Sequence, residues 1–249
     1  MKSLMGLIVP AVLIVVWEIL SAVGYFPPNW LPAPSIVFLN VIEMAKKGEL
    51  AGHVGITVYR VFSGFSIGVA AATLLGSLTG CSRYFRQLVD PLLQALRNIP
   101  SMAWVPLFLL WLGIQEASKI TLIAVGVFFP VYLNLMSGIR HLDEKLIEAG
   151  KMFGLKGVEL VRRVVLPATL PSYITGLRSG LGLGWMFVVA AELMGASKGL
   201  GFLMNDGQMT GRPSIIIASI VLFAVCGKIS DMIIEYTGRR FLKYRIEDA

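Results

Sequence analysis

Stretches of about twenty predominantly apolar residues recur from Leu4 to Lys228, each long enough for a helix to cross the hydrocarbon core of a bilayer. The 249 residues are 56% hydrophobic with a mean hydropathy of +0.75, above the roughly 45–50% apolar share of soluble domains. The fold class that follows is an all-α integral membrane protein. Six transmembrane helices are expected at about 4–23, 57–80, 94–113, 118–138, 173–194 and 213–230, in a single membrane domain covering 1–249.

Each run has its own punctuation. Leu4–Val23 exceeds the 7–15 residue core of a cleavable leader and reads as an uncleaved first span, with a leader as the alternative and Glu18 as an interfacial carboxylate near its far end. Phe26–Ala33 is too proline-rich for a helix, and Ser35 is expected to cap a short external helix that ends at Gly48. The second run places Gly64, Gly68, Gly76 and Gly80, and the fifth Gly176, Gly180 and Gly184, at four-residue spacing, a small-residue face that admits another helix backbone. Arg83 and Arg86 are assigned to a short loop after the second run. Pro100 and Pro106 interrupt the third run, which makes it a candidate for lining a wet path, and Pro130 is expected to kink the fourth.

Among these runs lies one long polar segment, Glu148–Pro171, which carries Lys151, Lys156, Arg162 and Arg163 and cannot cross a membrane. Leu146, Ile147, Gly150 and Phe153 fall at helical spacing before Gly154 and Gly157. Val158, Val161, Val164, Val165 and Leu166 then form a second apolar-periodic run that Pro167 and Pro171 are expected to close. Two short helices hinged at Gly154 are predicted, and the polar loop is bounded at 140–172.

This segment resembles the cytoplasmic signature of binding-protein-dependent ABC importer permeases: E-A-A, three residues, G, nine residues, I-x-L-P. Glu148, Ala149, Gly150, Gly154, Val164, Leu166 and Pro167 stand at every spacing, with Gly150 in place of Ala and Val164 in place of Ile. Both replacements keep a small or branched apolar residue and leave the assignment standing, bearing only on the rigidity of the first helix. The resemblance extends over LRNIPSMAWVPLFLLWLGI, FFPVYLNLMSGIR, LPSYITGLRSGLGLGWMFVVAAE and GLGFL to the sulfonate, taurine and nitrate branch. The Arg97-Asn98 dipeptide, GFSIG at Gly64 and Gly227–Asp231 are most similar to the aliphatic sulfonate permeases. The resemblance implies a type I ABC importer permease fold, with a coupling helix between spans four and five that meets a separate ATPase through Glu148, Ala149, Gly150, Gly154, Leu155, Leu166 and Pro167. It further implies a homodimer, two copies of an ABC ATPase that uses ATP and Mg, an extracytoplasmic substrate-binding protein, and no cofactor bound by this chain.

Charge placement supports the same orientation. With both termini in the cytoplasm of a bacterial inner-membrane protein, Lys46, Lys47, Arg60, Lys119, Lys198 and Arg212 fall outside. Lys2, Arg83, Arg86, Arg140, Lys145, Lys151, Lys156, Arg162, Arg163, Arg239, Arg240, Lys243 and Arg245 fall inside. The net charge of +7 therefore follows topology and needs no nucleic-acid partner.

Other chemistries lack their motifs. GASKGLG at Gly195–Gly201 has neither the spacing nor the terminal hydroxyl of a phosphate loop, so this chain is expected to be a transport subunit without its own ATPase site and not an enzyme. Cys81 and Cys226, like His53 and His141, have no metal-ligand spacing, so no metal site is expected. A secondary transporter is the rival class, but it calls for repeats and mid-depth ionisable residues. No repeat is evident, and Glu18, Arg97, Arg178, Glu192 and Lys228 are placed near span ends. For a small organic anion, the expected path uses Asn98, Ser101 and Trp104 of the broken third run, with Ser179, Trp185 and Glu192 of the fifth. Arg60, Arg97 and Arg178 would supply positive potential at the mouths. An aliphatic sulfonate is the favoured cargo; taurine, nitrate and a pyrimidine precursor are the alternatives.

Overall fold

The computed structural model describes residues 2–247, with side chains left aside at 2–7, 101, 158 and 242–247. All regular elements among the described residues are helical: α1 (Lys2–Ala22), α2 (Pro34–Lys46), α3 (Glu49–Cys81), α4 (Arg83–Arg97), α5 (Trp104–Leu112), α6 (Glu116–Arg140), α7 (Glu144–Met152), α8 (Gly157–Leu160), α9 (Leu166–Leu193), α10 (Leu200–Met209) and α11 (Pro213–Glu247). A 3₁₀ turn at Ser101–Ala103 precedes α5 and a π turn at Val161–Val165 precedes α9. Among the described residues four helices are long and apolar enough to span a bilayer: Glu49–Cys81, Glu116–Arg140, Val161–Leu193 and Pro213–Phe241. Ile8–Ala22 is a shorter apolar helix.

The residues form two compact units. One comprises the chain up to Val58 together with Glu192–Val225, and the other Tyr59–Ala191 with the residues from Cys226 onward. In the first unit, α1 exposes Ile8, Val9, Val12, Leu13, Val15, Val16 and Ile19, an apolar surface all round that suits lipid as its solvent. Glu18 near its end is not idle. Its carboxylate accepts the Ser35 N–H at 3.0 Å and the Ser35 hydroxyl at 2.8 Å. The predicted Ser35 cap is thereby corrected. Helix α2 begins at Pro34, Ala33 occupies the N-cap without a side-chain bond, and the negative charge at this helix N-terminus comes from α1. Gly48, at φ +75°, ends the turn as the sequence requires.

The second unit is built on α6, whose Leu122, Ile123, Val127, Val131, Tyr132 and Leu135 are buried. Both predicted glycine faces pack on it. A Cβ on Gly64 would stand 2.6 Å from Ile123 Cβ, and one on Gly68 2.5 Å from the Ala124 carbonyl oxygen. From α9, a Cβ on Gly180 would stand 2.9 Å from Val131 Cγ2, and one on Gly184 3.2 Å from Val127 Cγ2. Close backbone approach of this kind is what small residues provide where no hydrophobic force drives helices together. Gly126 of α6 reciprocates against the ring of Phe187. Thr73 of α3 and Tyr173 of α9 share a 2.7 Å hydrogen bond.

Three boundaries differ from expectation. Arg83 and Arg86 lie in α4, not in a loop. Ser82 accepts the Phe85 N–H as its N-cap, and Arg86 donates back to the Thr79 and Gly80 carbonyls, a cation on the C-terminus of α3. The third run is broken into α4, the 3₁₀ turn and α5. The break falls at Asn98–Pro100, whereas Pro106 lies in the first turn of α5, where its missing N–H costs no helical bond. Pro167 and Pro171 do not close the run before them, because the chain continues as helix to Leu193. The π turn widens the helix just ahead of Pro167. Thr169 donates to the Val165 and Leu166 carbonyls, and Thr175 to that of Pro171, the side-chain bonding that lets membrane helices carry proline.

Candidate functional site

Helices α7 and α8 form a hairpin between α6 and α9 in the chain. Asp143 starts α7 by accepting the Lys145 N–H at 3.0 Å. Its end is a Schellman motif. The Gly154 N–H bonds the Lys151 carbonyl at 2.9 Å and the Leu155 N–H bonds the Gly150 carbonyl at 3.1 Å, with Gly154 at φ +79°. The glycine the sequence marked as a hinge is thus a turn that only a residue without Cβ adopts freely. Gly157, at φ +53°, makes a second such position.

The apolar stripe predicted for α7 is divided. Ile147 is half-buried and Gly150 is buried, whereas Leu146 is exposed and Phe153 is 85% exposed. Gly150 is a packing residue, since a Cβ there would stand 2.6 Å from Leu160 Cδ1 and 3.0 Å from Val164 Cγ2. Leu155 leans toward the same glycine and is half-buried. Glu148, Ala149, Met152 and Leu166 face outward, and Pro167 is half-buried. A helix tip that exposes Met152 at 88% beside Phe153, ringed by Glu148, Lys151 and Lys156, has an apolar centre and a charged rim.

Within the second unit, Arg97 and Ser179 line separate cavities. Arg97 ends α4 and lines a shallow cavity of about 360 Å³ with Asn134, Ser137 and Arg140; Asn98 is the exposed C-cap of the same helix. Trp104 stacks on Phe108 with ring centroids 5.8 Å apart, and the Ser101 side chain lies outside the described residues. Ser179 is exposed on another cavity of about 350 Å³, with Thr175, Arg178 and Asp231. Trp185 is buried and donates its indole N–H to Ser230 at 2.9 Å.

Two of the three arginines expected to supply positive potential are neutralised. Arg60 is 2% exposed and forks onto both oxygens of Glu116 at 2.6 Å. Arg178 forks onto Asp231 at 2.7 and 2.9 Å and reaches Glu235 at 3.0 Å. It also lies well inside α9 and not near a span end, because that helix already starts at Leu166. Their partners were readable as acidic residues within or beside apolar runs, a signal that was overlooked.

In the first unit, Glu192 is buried at the end of α9 and accepts the Thr57 hydroxyl at 2.8 Å and the Gly201 N–H at 2.7 Å. Thr57 in turn accepts the Leu200 N–H at 2.9 Å. His53 bonds the Gly199 backbone and stacks on Phe202 with ring centroids 5.8 Å apart. Glu192 thereby supports the N-terminus of α10. Nothing in the local spacing of His53 and Thr57 announces this, since their bonds to Gly199 and Glu192 span 146 and 135 residues of chain. Among the described residues no group of three His, Cys, Asp or Glu side chains is placed to hold a metal.

Long apolar helices joined through glycine faces, with one polar hairpin between two of them in the chain, mark an integral membrane protein. Residues 64–243 match the family described as binding-protein-dependent transport system inner membrane component, and the chain belongs to that family. It is 40% identical to a putative aliphatic sulfonates transport permease protein of Bacillus subtilis over 96% of this chain and 87% of that one. It is 36% identical to the corresponding Escherichia coli protein over 94% and 89%. A taurine transport system permease protein of Escherichia coli is 30% identical over 95% of this chain and 88% of its own length.

Proposed function

We propose that the chain is the permease subunit of an ATP-driven importer and carries a small organic anion, an aliphatic sulfonate, across the bacterial inner membrane. The observation that carries this reading is the hairpin. An apolar tip at Met152 and Phe153, held by a positive-φ glycine and connected directly to α6 and α9, is a surface built to receive another protein and pass its motion to the spans. In this reading α7 is the coupling helix, and Glu148, Ala149, Gly150, Gly154, Leu155, Leu166 and Pro167 form or support its contact with a separate ABC ATPase. ATP, Mg and the hydrolytic site belong to that partner.

Six spans are reached when α1 and the broken α4–α5 segment are added to the four long helices. Both termini then lie in the cytoplasm, and the surface opposite the hairpin meets a substrate-binding protein. Two copies of this chain and two ATPases complete the assembly, and closure of the ATPases would tilt the hairpins and switch the spans between inward-facing and outward-facing states. Family membership favours this importer over a secondary transporter. The sulfonate assignment is supported by the names of the relatives at 40% and 36% identity, with taurine the next cargo by the same criterion. Growth of a deletion strain on single sulfur or nitrogen sources tests it. Loss of growth on alkanesulfonates is expected, whereas intact growth on all alkanesulfonates and taurine with loss of nitrate or pyrimidine use would overturn the cargo and leave the importer.

A further inference from the structure

Arg60 and Arg178 are ion-paired, Arg163 and Arg239 are paired to glutamates one helical turn away, and Arg86 is bonded to carbonyls. Arg97 and Arg140 differ. Among the described residues neither meets a carboxylate, and both line the same cavity of about 360 Å³, one from the end of α4 and one from the end of α6. The rest of that wall is Asn134, Ser137, Leu133 and Met136. Asn134 gives one amide N–H to the Pro130 carbonyl, and the Ser137 hydroxyl lies 3.2 Å from His141 Nδ1. Ser137 also borders a neighbouring cavity of about 280 Å³ with His141, Ser172 and Asp143, whose carboxylate is engaged by the Lys145 N–H.

We propose that Arg97 and Arg140 form an oxyanion site at this end of α6, taking a sulfonate or phosphate group between two guanidinium forks with the Ser137 hydroxyl alongside. Two planar forks that present only N–H donors match the three oxygens of such a group and reject cations, and no carboxylate lines the cavity they share, Asp143 standing on the neighbouring one. A lipid headgroup and a soluble sulfonate share this chemistry. The soluble source rests on the importer reading above; the site itself does not.

The test uses the full chain with Cys81→Ser, Cys226→Ser and Ser137→Cys in phosphatidylcholine vesicles. The labelling rate of the thiol by an anionic sulfonatoethyl methanethiosulfonate is compared with that by the neutral methyl reagent. The anionic preference should fall about tenfold or more in Arg97→Gln/Arg140→Gln, survive in the double lysine variant, and fade as salt is raised. Protection by ethanesulfonate in phosphatidylcholine assigns the site to a soluble anion, and protection that appears only with phosphatidylglycerol assigns it to lipid. The same preference with and without the arginines, or protection by neither, overturns the site. ATP-driven uptake by the glutamine variant is measured in parallel, so that an importer without this site is told apart from a failure of the importer reading.

Discussion

The Glu192 carboxylate holds the Thr57 hydroxyl with one oxygen, at 2.8 Å, and the Gly201 N–H with the other, at 2.7 Å, and in doing so caps α10 from inside the protein. Glu192→Gln keeps the size but turns an amide N–H toward one of these donors, leaving a buried group unsatisfied at about 1–3 kcal/mol. A lower melting temperature in detergent is expected, with a larger drop for Glu192→Ala. Wild-type melting in both variants would show that α10 is held by other means.

Two neighbouring glycines of α9 should respond in opposite ways. Gly180 has Val131 and Val127 against it, so Gly180→Ala must displace α6 or α9 and should destabilise by about 1–3 kcal/mol. Gly182 has nothing within 4 Å, and Gly182→Ala should be neutral or stabilising by up to about 1 kcal/mol through helix propensity. Thermal unfolding followed by size exclusion in one detergent compares them directly.

Coupling should fail at the hairpin without loss of membrane insertion. Gly154→Val forces a β-branched residue into φ +79°, and Glu148→Lys reverses a charge on the exposed rim. Both should weaken co-purification of the ATPase and lower substrate-stimulated ATP hydrolysis severalfold, as should Phe153→Ala. Unchanged values for all three would remove the hairpin from the ATPase contact.

Orientation is open to a direct test. In a background without Cys81 and Cys226, single cysteines at position 47 and in 198–212 should react with an impermeant thiol reagent in intact cells, and one at 156 should not. The opposite pattern would invert the topology.

Periodicity carried the sequence reading where α3 and α9 meet α6. The glycines at four-residue spacing in α3 and α9 were legible because a bare backbone face has one use in a membrane, and both faces do pack on α6. Gly154 was legible for a related reason, since a glycine that ends an amphipathic turn marks a left-handed backbone. Two of the failures are a local rule overridden by a distant group, and the third is a local rule offset by bonds close by in the chain. Ser35 was read as a cap by its neighbours, yet Glu18 of another helix takes its donors. Arg178 was read as a charge at a mouth, but Asp231 lies fifty-three positions away in the chain. Pro171 was read as a stop, but the preceding π turn and two threonines carry the helix past it.

The double glycine contact on α6 has a mechanical consequence. With backbones this close on both flanks, α3, α6 and α9 have little room to slide or roll against one another, and the three behave as one stiff plate. The hairpin is attached to that plate by two of its members. At 1.5 Å per residue, α6 is an arm about 37 Å long over its 25 residues. A tilt of about 10° imposed at the hairpin would displace the far end of such an arm by roughly 6 Å, by the same helix geometry. A modest rotation imposed at the hairpin would thus become, at the far end of α6, a movement as wide as a small solute.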